Sequence, residues 1–233
     1  MDEIRPLPWD TQFFEMPIGR LDLTTGVEVE RILKLLHMSP YRVVVIHIEN
    51  PSDNDLRLMS HVAVLVDLKL VYVKQPLTQI SDNCLSVVNY KGPVTYDIIE
   101  LAYASGVYSR FKQDPGFEPY FKQLYRLWIE KSIAGELADA VFVYFIDSKP
   151  AGLITVKKAE QEAVIGLLSV DEKHRRIGIA SKLINRVEHW CTEEQYNRVM
   201  VATQSANIPA CRFYEKQAYA CEKRFGIYHF WKD

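Results

Sequence analysis

An α/β fold is what this sequence predicts: a mixed, largely antiparallel sheet flanked by helices and preceded by a partial α/β half-domain. Two patterns and a length carry that prediction. Apolar residues recur at helical spacing in several windows with β-branched runs between them, and three such runs follow one another between residues 140 and 170 with turn residues in the gaps. The 233 residues exceed the ~100 to 150 of one ordinary domain and fall short of two. The division is expected near residue 93, with 1–93 as half-domain and linker and 94–233 as the second domain.

In chain order, Trp9, Asp10, Phe13 and Phe14 precede Pro17 and Gly19 as an aromatic cluster in a loop or short strand, whose plainest role is core packing. Val29, Ile32, Leu33, Leu35 and Leu36 mark a helix over 27–36 that Pro40 ends. The β-branched run 42–48 reads as a buried strand, and 53–61 as a short helix. Residues 62–73 follow as a strand on which Ala63, Leu65, Asp67, Lys69, Val71 and Val73 share a face. Residues 75–93 scatter Pro, Ser, Asn, Asp and Gly without a period and read as a linker.

Beyond the linker, helices are expected at 97–104 and 118–134. The longer one presents Phe121, Leu124, Tyr125, Trp128 and Ile129 on one face, and Gly135 closes it. Strands 140–146, 152–158 and 162–170 make an antiparallel meander, turning first at Asp147-Ser148-Lys149-Pro150. A helix over 178–194, a strand over 198–203, a helix over 209–217 and a strand over 221–231 complete the order.

The hydrophobic share of 48% and charged share of 25% exclude wholesale disorder and collagen-like chains. With 28 Lys plus Arg against 30 Asp plus Glu, the chain lacks the basic excess of a nucleic-acid binder. Cys84, Cys191, Cys211 and Cys221 form no CxxC pair and have no His at metal-ligand spacing, so reduced thiols and no metal are expected. The acidic start, Met1-Asp2-Glu3, has no basic region ahead of an apolar stretch, and a cytoplasmic location is the expectation. The most apolar stretch, 62–73, carries Asp67 and Lys69 and falls short of the ~20 residues of a membrane helix, so no membrane insertion is expected.

One junction is chemically specific. Val170-Asp171-Glu172-Lys173-His174-Arg175-Arg176-Ile177-Gly178-Ile179-Ala180-Ser181 leads a strand through a basic loop into a helix with small residues at its start. The first N–H groups of a helix lack intrahelical partners and bind phosphate oxygens, and Gly178 and Ala180 allow close approach. Alone, this pattern is also that of an ordinary helix start with solvated charges. It gains weight from the next pair of elements, where Val201-Ala202-Thr203-Gln204 precedes a helix carrying Asn207, Ala210 and Tyr214, the first and last about two turns apart.

Together these motifs resemble those of the GNAT superfamily of acetyl-CoA-dependent N-acetyltransferases. Arg175, Gly178 and Ala180 match its R/Q-x-x-G-x-G/A loop, and Asn207, Ala210 and Tyr214 match its N-x-x-A-x-x-x-Y helix. Where many members have glycine before a final aromatic, this chain has Ala218 before Tyr219. The resemblance covers about residues 95 to 232 and implies the GNAT fold, with acetyl-CoA as cosubstrate and no metal. It further implies that the strand end at Leu168 and Val170 pairs with pantetheine. N–H groups of Arg176, Gly178, Ile179, Ala180 and Ser181, beside Arg175, would hold the pyrophosphate, Asn207 would bond near the cofactor arm, and Tyr214 would stand at the thioester sulfur.

A narrower resemblance joins Trp9-Asp10-Thr11-Gln12-Phe13-Phe14, Ser109-Arg110-Phe111 and Trp128-Ile129-Glu130 to the bacterial TDP-fucosamine acetyltransferases. It implies a nucleotide-sugar partner, acetylated on the 4-amino group of a TDP-linked 4-amino-4,6-dideoxygalactose, with the amino-terminal half-domain sharing the acceptor site. On residue type and this likeness, Arg110 is the candidate phosphate cation and Phe121, Tyr125 or Trp9 the candidate base platform. Open sheet edges leave a homodimer as an expectation.

For amide formation from a thioester the departing thiolate needs a proton, and a tyrosine, ordinarily near pKa ~10, suits a thiol of about 8.5. Tyr214 is therefore the candidate general acid. An amine of pKa near 8 is already about one-tenth neutral at pH 7, so a base adds only about 1.4 kcal/mol. Asp67 is the candidate base, with a solvent-facing carboxylate beside Lys69 as the other reading and backbone carbonyls near Leu168 as an equal means of orienting the amine. His174, Glu130 and Cys211 receive no catalytic role. Other amines, or an acyl-CoA-binding regulatory module without turnover, are the competing readings.

Overall fold

In the computed structural model, which describes residues 3–24, 26–75, 86–160 and 162–232, ten strands and eight α-helices are defined. The strands are β1 (Arg5–Pro6), β2 (Ile18–Leu23), β3 (Val43–Glu49), β4 (Val64–Lys74), β5 (Val87–Asn89), β6 (Ala140–Ile146), β7 (Lys149–Lys158), β8 (Ala163–Val170), β9 (Val199–Gln204) and β10 (Ala220–Trp231). The helices are α1 (Pro8–Phe14), α2 (Val29–Met38), α3 (Asp53–Met59), α4 (Tyr96–Ser105), α5 (Arg110–Gln113), α6 (Phe121–Ile133), α7 (Ile179–Glu193) and α8 (Ile208–Lys216).

The chain divides into two units. The first holds Met1–Val71, Thr203–Cys211 and Cys221–Asp233, and the second Tyr72–Ala202 and Arg212–Ala220. This departs from a division near 93, because β10 returns to pair antiparallel with β3, Phe225 opposite Glu49 through Trp231 opposite Val43. Composition changes along the chain cannot register a strand whose partner lies so far back in sequence.

In the first unit the strand order is β1-β2-β3-β10-β4. Strands β2 and β3 run parallel, which demands a crossover, and α2 supplies it. Their inward residues, Leu21, Leu23, Val44, Ile46 and Ile48, meet Ile32 and Leu36 of α2, Met59 of α3 and Tyr228 of β10. Ile32 and Leu36 are four apart and so share the buried stripe of their helix.

Two elements here differ from the sequence expectation. The aromatic cluster forms a helix rather than a loop or strand, with Pro8 at its first position and Phe14 buried. Proline's fixed φ suits that position, and seven residues are too few for a period to show. Strand β2 was not expected at all, since Gly19 and Asp22 are poor strand formers. It forms because β1 and β3 pair with its two edges.

In the second unit the order is β9-β8-β7-β6-β5. The meander of β6, β7 and β8 is antiparallel as expected, and its first turn places Asp147 and Ser148 at φ 48° and 62°. That makes a two-residue hairpin loop of the kind whose twist matches the strands, so Lys149 and Pro150 belong to β7. Part of the expected linker is strand β5, which pairs Val87 with Tyr144. Residues 76–85 of that linker, with Cys84, lie outside the described residues.

Helix α7 packs on one face of this sheet, where a Cβ on Gly152 would lie 2.9 Å from the Ile179 side chain. Helix α4 packs on the other, where the Ser169 hydroxyl donates to the Leu101 carbonyl at 2.6 Å. Among the described residues no helix is long and apolar enough to cross a membrane.

Candidate active site

The site begins with an irregularity in β8. Ile154 pairs with Leu168 and Val156 with Ile165, so Gly166 and Leu167 together face Thr155. This is a β-bulge, and the Thr155 hydroxyl oxygen fills the break by accepting the Leu167 N–H at 2.9 Å. The parallel ladder between β8 and β9 covers only Ala163–Ile165 against Val199–Val201. Past the bulge, the segment carrying Leu168 and Val170 has left that ladder, and both residues are half-buried.

The loop that follows is held by its own polar groups. Asp171 takes the Lys173 N–H and the His174 ring nitrogen, both at 3.0 Å, and its backbone N–H reaches the Ala151 carbonyl at 2.9 Å. Arg175 Nε donates to the Val170 carbonyl at 3.3 Å. Arg176 and Gly178 have φ of 66° and 90°, left-handed geometry that recurs where backbone N–H groups gather around an anion. The first α7 bond runs from Lys182 N–H to the Gly178 carbonyl, so the N–H groups of Ile179, Ala180 and Ser181 precede any helical partner. Nothing lies within 4 Å of a Cβ built on Gly178. Backbone donors, a helix dipole and two exposed arginines meet at this junction, a combination that is chemically suited to an anion.

Tyr214 is on α8 and is 4% exposed. Its ring packs on Tyr72, at 5.7 Å between centroids, and on Tyr219, at 5.9 Å. The Tyr72 hydroxyl donates to Glu215 Oε1 at 3.1 Å. A further tie joins α8 to α7, since Gln217 Nε2 donates to the Ser181 hydroxyl oxygen at 3.0 Å. Lys182, in the first turn of α7, donates to the Tyr144 hydroxyl at 3.1 Å. Neither Gln217 nor Lys182 carries a sequence signal, because each partner is more than 30 residues away.

The other expected site residues are distributed as follows. Asn207 is the N-cap of α8, its Oδ1 accepting the Ala210 N–H at 3.3 Å, a local task beside the one the resemblance implies. Asp67 is buried on β4, five positions before Tyr72, so strand alternation places it on the opposite face from the ring that meets Tyr214. Phe121 and Tyr125 are buried among Tyr103, Phe111, Phe117 and Trp128, which leaves little ring face for a ligand. Arg110 opens α5 with its guanidinium 4.3 Å from the Phe111 ring. Trp9 is 43% exposed and stacks on Phe13 at 5.1 Å. Burial pushes the Cys191 thiol up to about 12, with Glu188 adding to the effect, so it is no nucleophile at neutral pH. Among the described residues no His, Cys, Asp and Glu group could hold a metal ion.

Residues 105–219 match the acetyltransferase (GNAT) family. This segment belongs to that family. The chain is 28% identical to streptothricin acetyltransferase A of Bacillus subtilis over 116 residues, 49% of this chain and 66% of that protein. It is 24% identical to the spore coat polysaccharide biosynthesis protein SpsD of the same organism over 138 residues, 59% of this chain and 47% of that one. The human N-alpha-acetyltransferase 30 is 26% identical over 117 residues, 31% of its length. The chain thus spans two thirds or less of these relatives.

Among solved structures, a functionally unknown conserved protein from Staphylococcus epidermidis aligns with TM-score 0.66 at 15% identity over 98% of this chain and 91% of that one. The PaiA N-acetyltransferase of Thermoplasma acidophilum, in complex with coenzyme A, aligns with TM-score 0.51 at 17% identity over 64% of this chain and 100% of that one. At such identities the likeness establishes the fold, and the fold is that of the GNAT acetyltransferases, whose acetyl donor is acetyl-CoA.

Proposed function

We propose that the protein transfers an acetyl group from acetyl-CoA to the 4-amino group of a TDP-linked 4-amino-4,6-dideoxyhexose. The observation that carries the transferase reading is the junction of β8 and α7, where a strand end released by a bulge meets a row of helix N–H groups. Acetyl-CoA, when bound, supplies an activated thioester. Backbone groups at Leu168 and Val170 hold its pantetheine arm in this reading. The N–H groups of Arg176, Gly178, Ile179, Ala180 and Ser181, with the charge of Arg175, hold its pyrophosphate, and Asn207 lies beside the arm.

Tyr214 donates the proton that the departing thiolate needs, and holding amine and donor together supplies up to ~7 to 11 kcal/mol. The base requirement is slight, so Asp67 is a candidate whose replacement by Asn decides its role: unchanged kcat and pH profile remove it. For the acceptor, the likeness to SpsD and the Trp9 to Phe14 segment support a sugar nucleotide. Arg110 is then the candidate cation for its phosphates, and Trp9 is the most exposed of the candidate rings for its base. The likeness to streptothricin acetyltransferase A favours a second reading, a different small-molecule amine.

Thiol release from acetyl-CoA separates the two. Release with TDP-4-amino-4,6-dideoxygalactose, abolished in a Gly178→Trp variant whose indole fills the proposed anion site, supports the proposal. Release with streptothricin or peptides and none with the sugar nucleotide rejects it.

A further inference from the structure

One ring away from Tyr214, the second unit buries a charge pair that the proposed reaction does not use. Lys74 Nζ lies 2.8 Å from each carboxylate oxygen of Glu188, and the two side chains are only 11% and 7% exposed. Desolvating two charges is costly, and apolar residues of the same volume commonly replace such pairs without loss of stability. Stability alone therefore gives no reason for the pair, and what it touches does.

The Lys74 ammonium sits 5.5 Å from the centroid of the Tyr219 ring, a cation–π distance. Tyr219 in turn packs on Tyr214, and its backbone N–H donates to the Tyr214 carbonyl at 3.0 Å. The Tyr219 hydroxyl is buried beside Glu188, so the charge pair meets this residue at its ring through Lys74 and at its oxygen through Glu188. Tyr72 also packs on Tyr214, and it is two residues before Lys74 and so on the same face of β4. One strand thus supplies a ring that packs on Tyr214 and a cation, fixed by Glu188, over the second ring that packs there.

We infer that the buried Lys74–Glu188 pair is a positioning device for Tyr214, holding the Tyr219 ring so that the Tyr214 phenol keeps one orientation. Lys74 and Glu188 are positioning residues and touch no substrate. The inference rests on the assignment of Tyr214 as the proton donor, and the test separates the two.

The double variant Lys74→Met with Glu188→Leu removes both charges while conserving volume, which avoids the lone buried charge that either single change would leave. We expect it to unfold at the same or a higher temperature and to keep KM for acetyl-CoA within about twofold. We expect kcat with TDP-4-amino-4,6-dideoxygalactose to fall at least about tenfold. A 3-fluorotyrosine at position 214 gives a readout that needs no acceptor, and its fluorine resonance should broaden or shift in the double variant. Tyr219→Leu, which removes the ring and leaves the pair, should produce the same two effects by a different route. Unchanged kcat and an unchanged fluorine line in either variant overturn the positioning role while Tyr214→Phe still loses turnover. If Tyr214→Phe retains turnover, the proton-donor assignment itself fails, and the inference falls with it.

Discussion

Asp55 shows what a single carboxylate can join. It accepts the Ser52 hydroxyl at 2.6 Å and the Ser52 N–H at 3.0 Å, closing the start of α3, and also the N–H groups of Gly26 and Val27 at 3.1 and 3.2 Å. The Ser52 hydroxyl contributes most to holding its carboxyl below the ordinary 3.8, against the opposing effect of burial. A carboxylate depressed in the folded state contributes stability that is complete above its unfolded value and disappears as pH falls through the folded one. Asp55→Asn should therefore cost about 1 to 3 kcal/mol in urea unfolding at pH 7, and less once the pH is below that folded value. An equal cost at pH 7 and pH 2 would show that charge plays no part. The same scale marks a limit of sequence reading. Helical spacing correctly puts Phe121 and Tyr125 on one face, yet spacing cannot tell a ligand platform from core, and the structure buries both.

At the level of elements, period and turn chemistry act locally, and wherever they are strong the expected and observed elements coincide. Helices α2, α4 and α7 and strands β3, β6, β8 and β9 are of this kind. Elements too short for a period, such as α1 and β5, or held by partners in spite of their residues, such as β2, needed the structure. The end of α8 gives a test. Ala218 lies at φ 62°, where a Cβ is strained by about 1 to 2 kcal/mol and glycine is not. Ala218→Gly should raise the denaturation midpoint by an amount equivalent to about 0.5 to 1 kcal/mol, net of the extra freedom glycine has when unfolded. A lowered midpoint would mean that the Ala218 methyl makes contacts worth more than the strain.

At the scale of the whole molecule, chain connectivity and unit membership diverge. A chain begun at residue 94 would lack β3, the antiparallel partner of β10, and would lack Tyr72 and Lys74 from the surroundings of Tyr214. We expect residues 94–233 expressed alone to show no cooperative thermal transition by circular dichroism, whereas residues 1–233 show one. A sharp transition in the shorter chain would show that residues 94–233 fold without β3, β4 and β5. By itself, the sequence determined the α/β class, the order of the strands and longer helices after residue 95, though not the short α5, and the two motifs that name the family. Those rest on interactions within a few residues: helical spacing, small residues at a helix start, and N–H groups that no helix can satisfy. The tertiary structure alone decided where the units divide, where β8 leaves β9, and that Lys74 and Glu188, 114 residues apart, meet beside the Tyr219 ring. A buried charge or a bulge has meaning only through its spatial partner, and no local pattern records who that partner is.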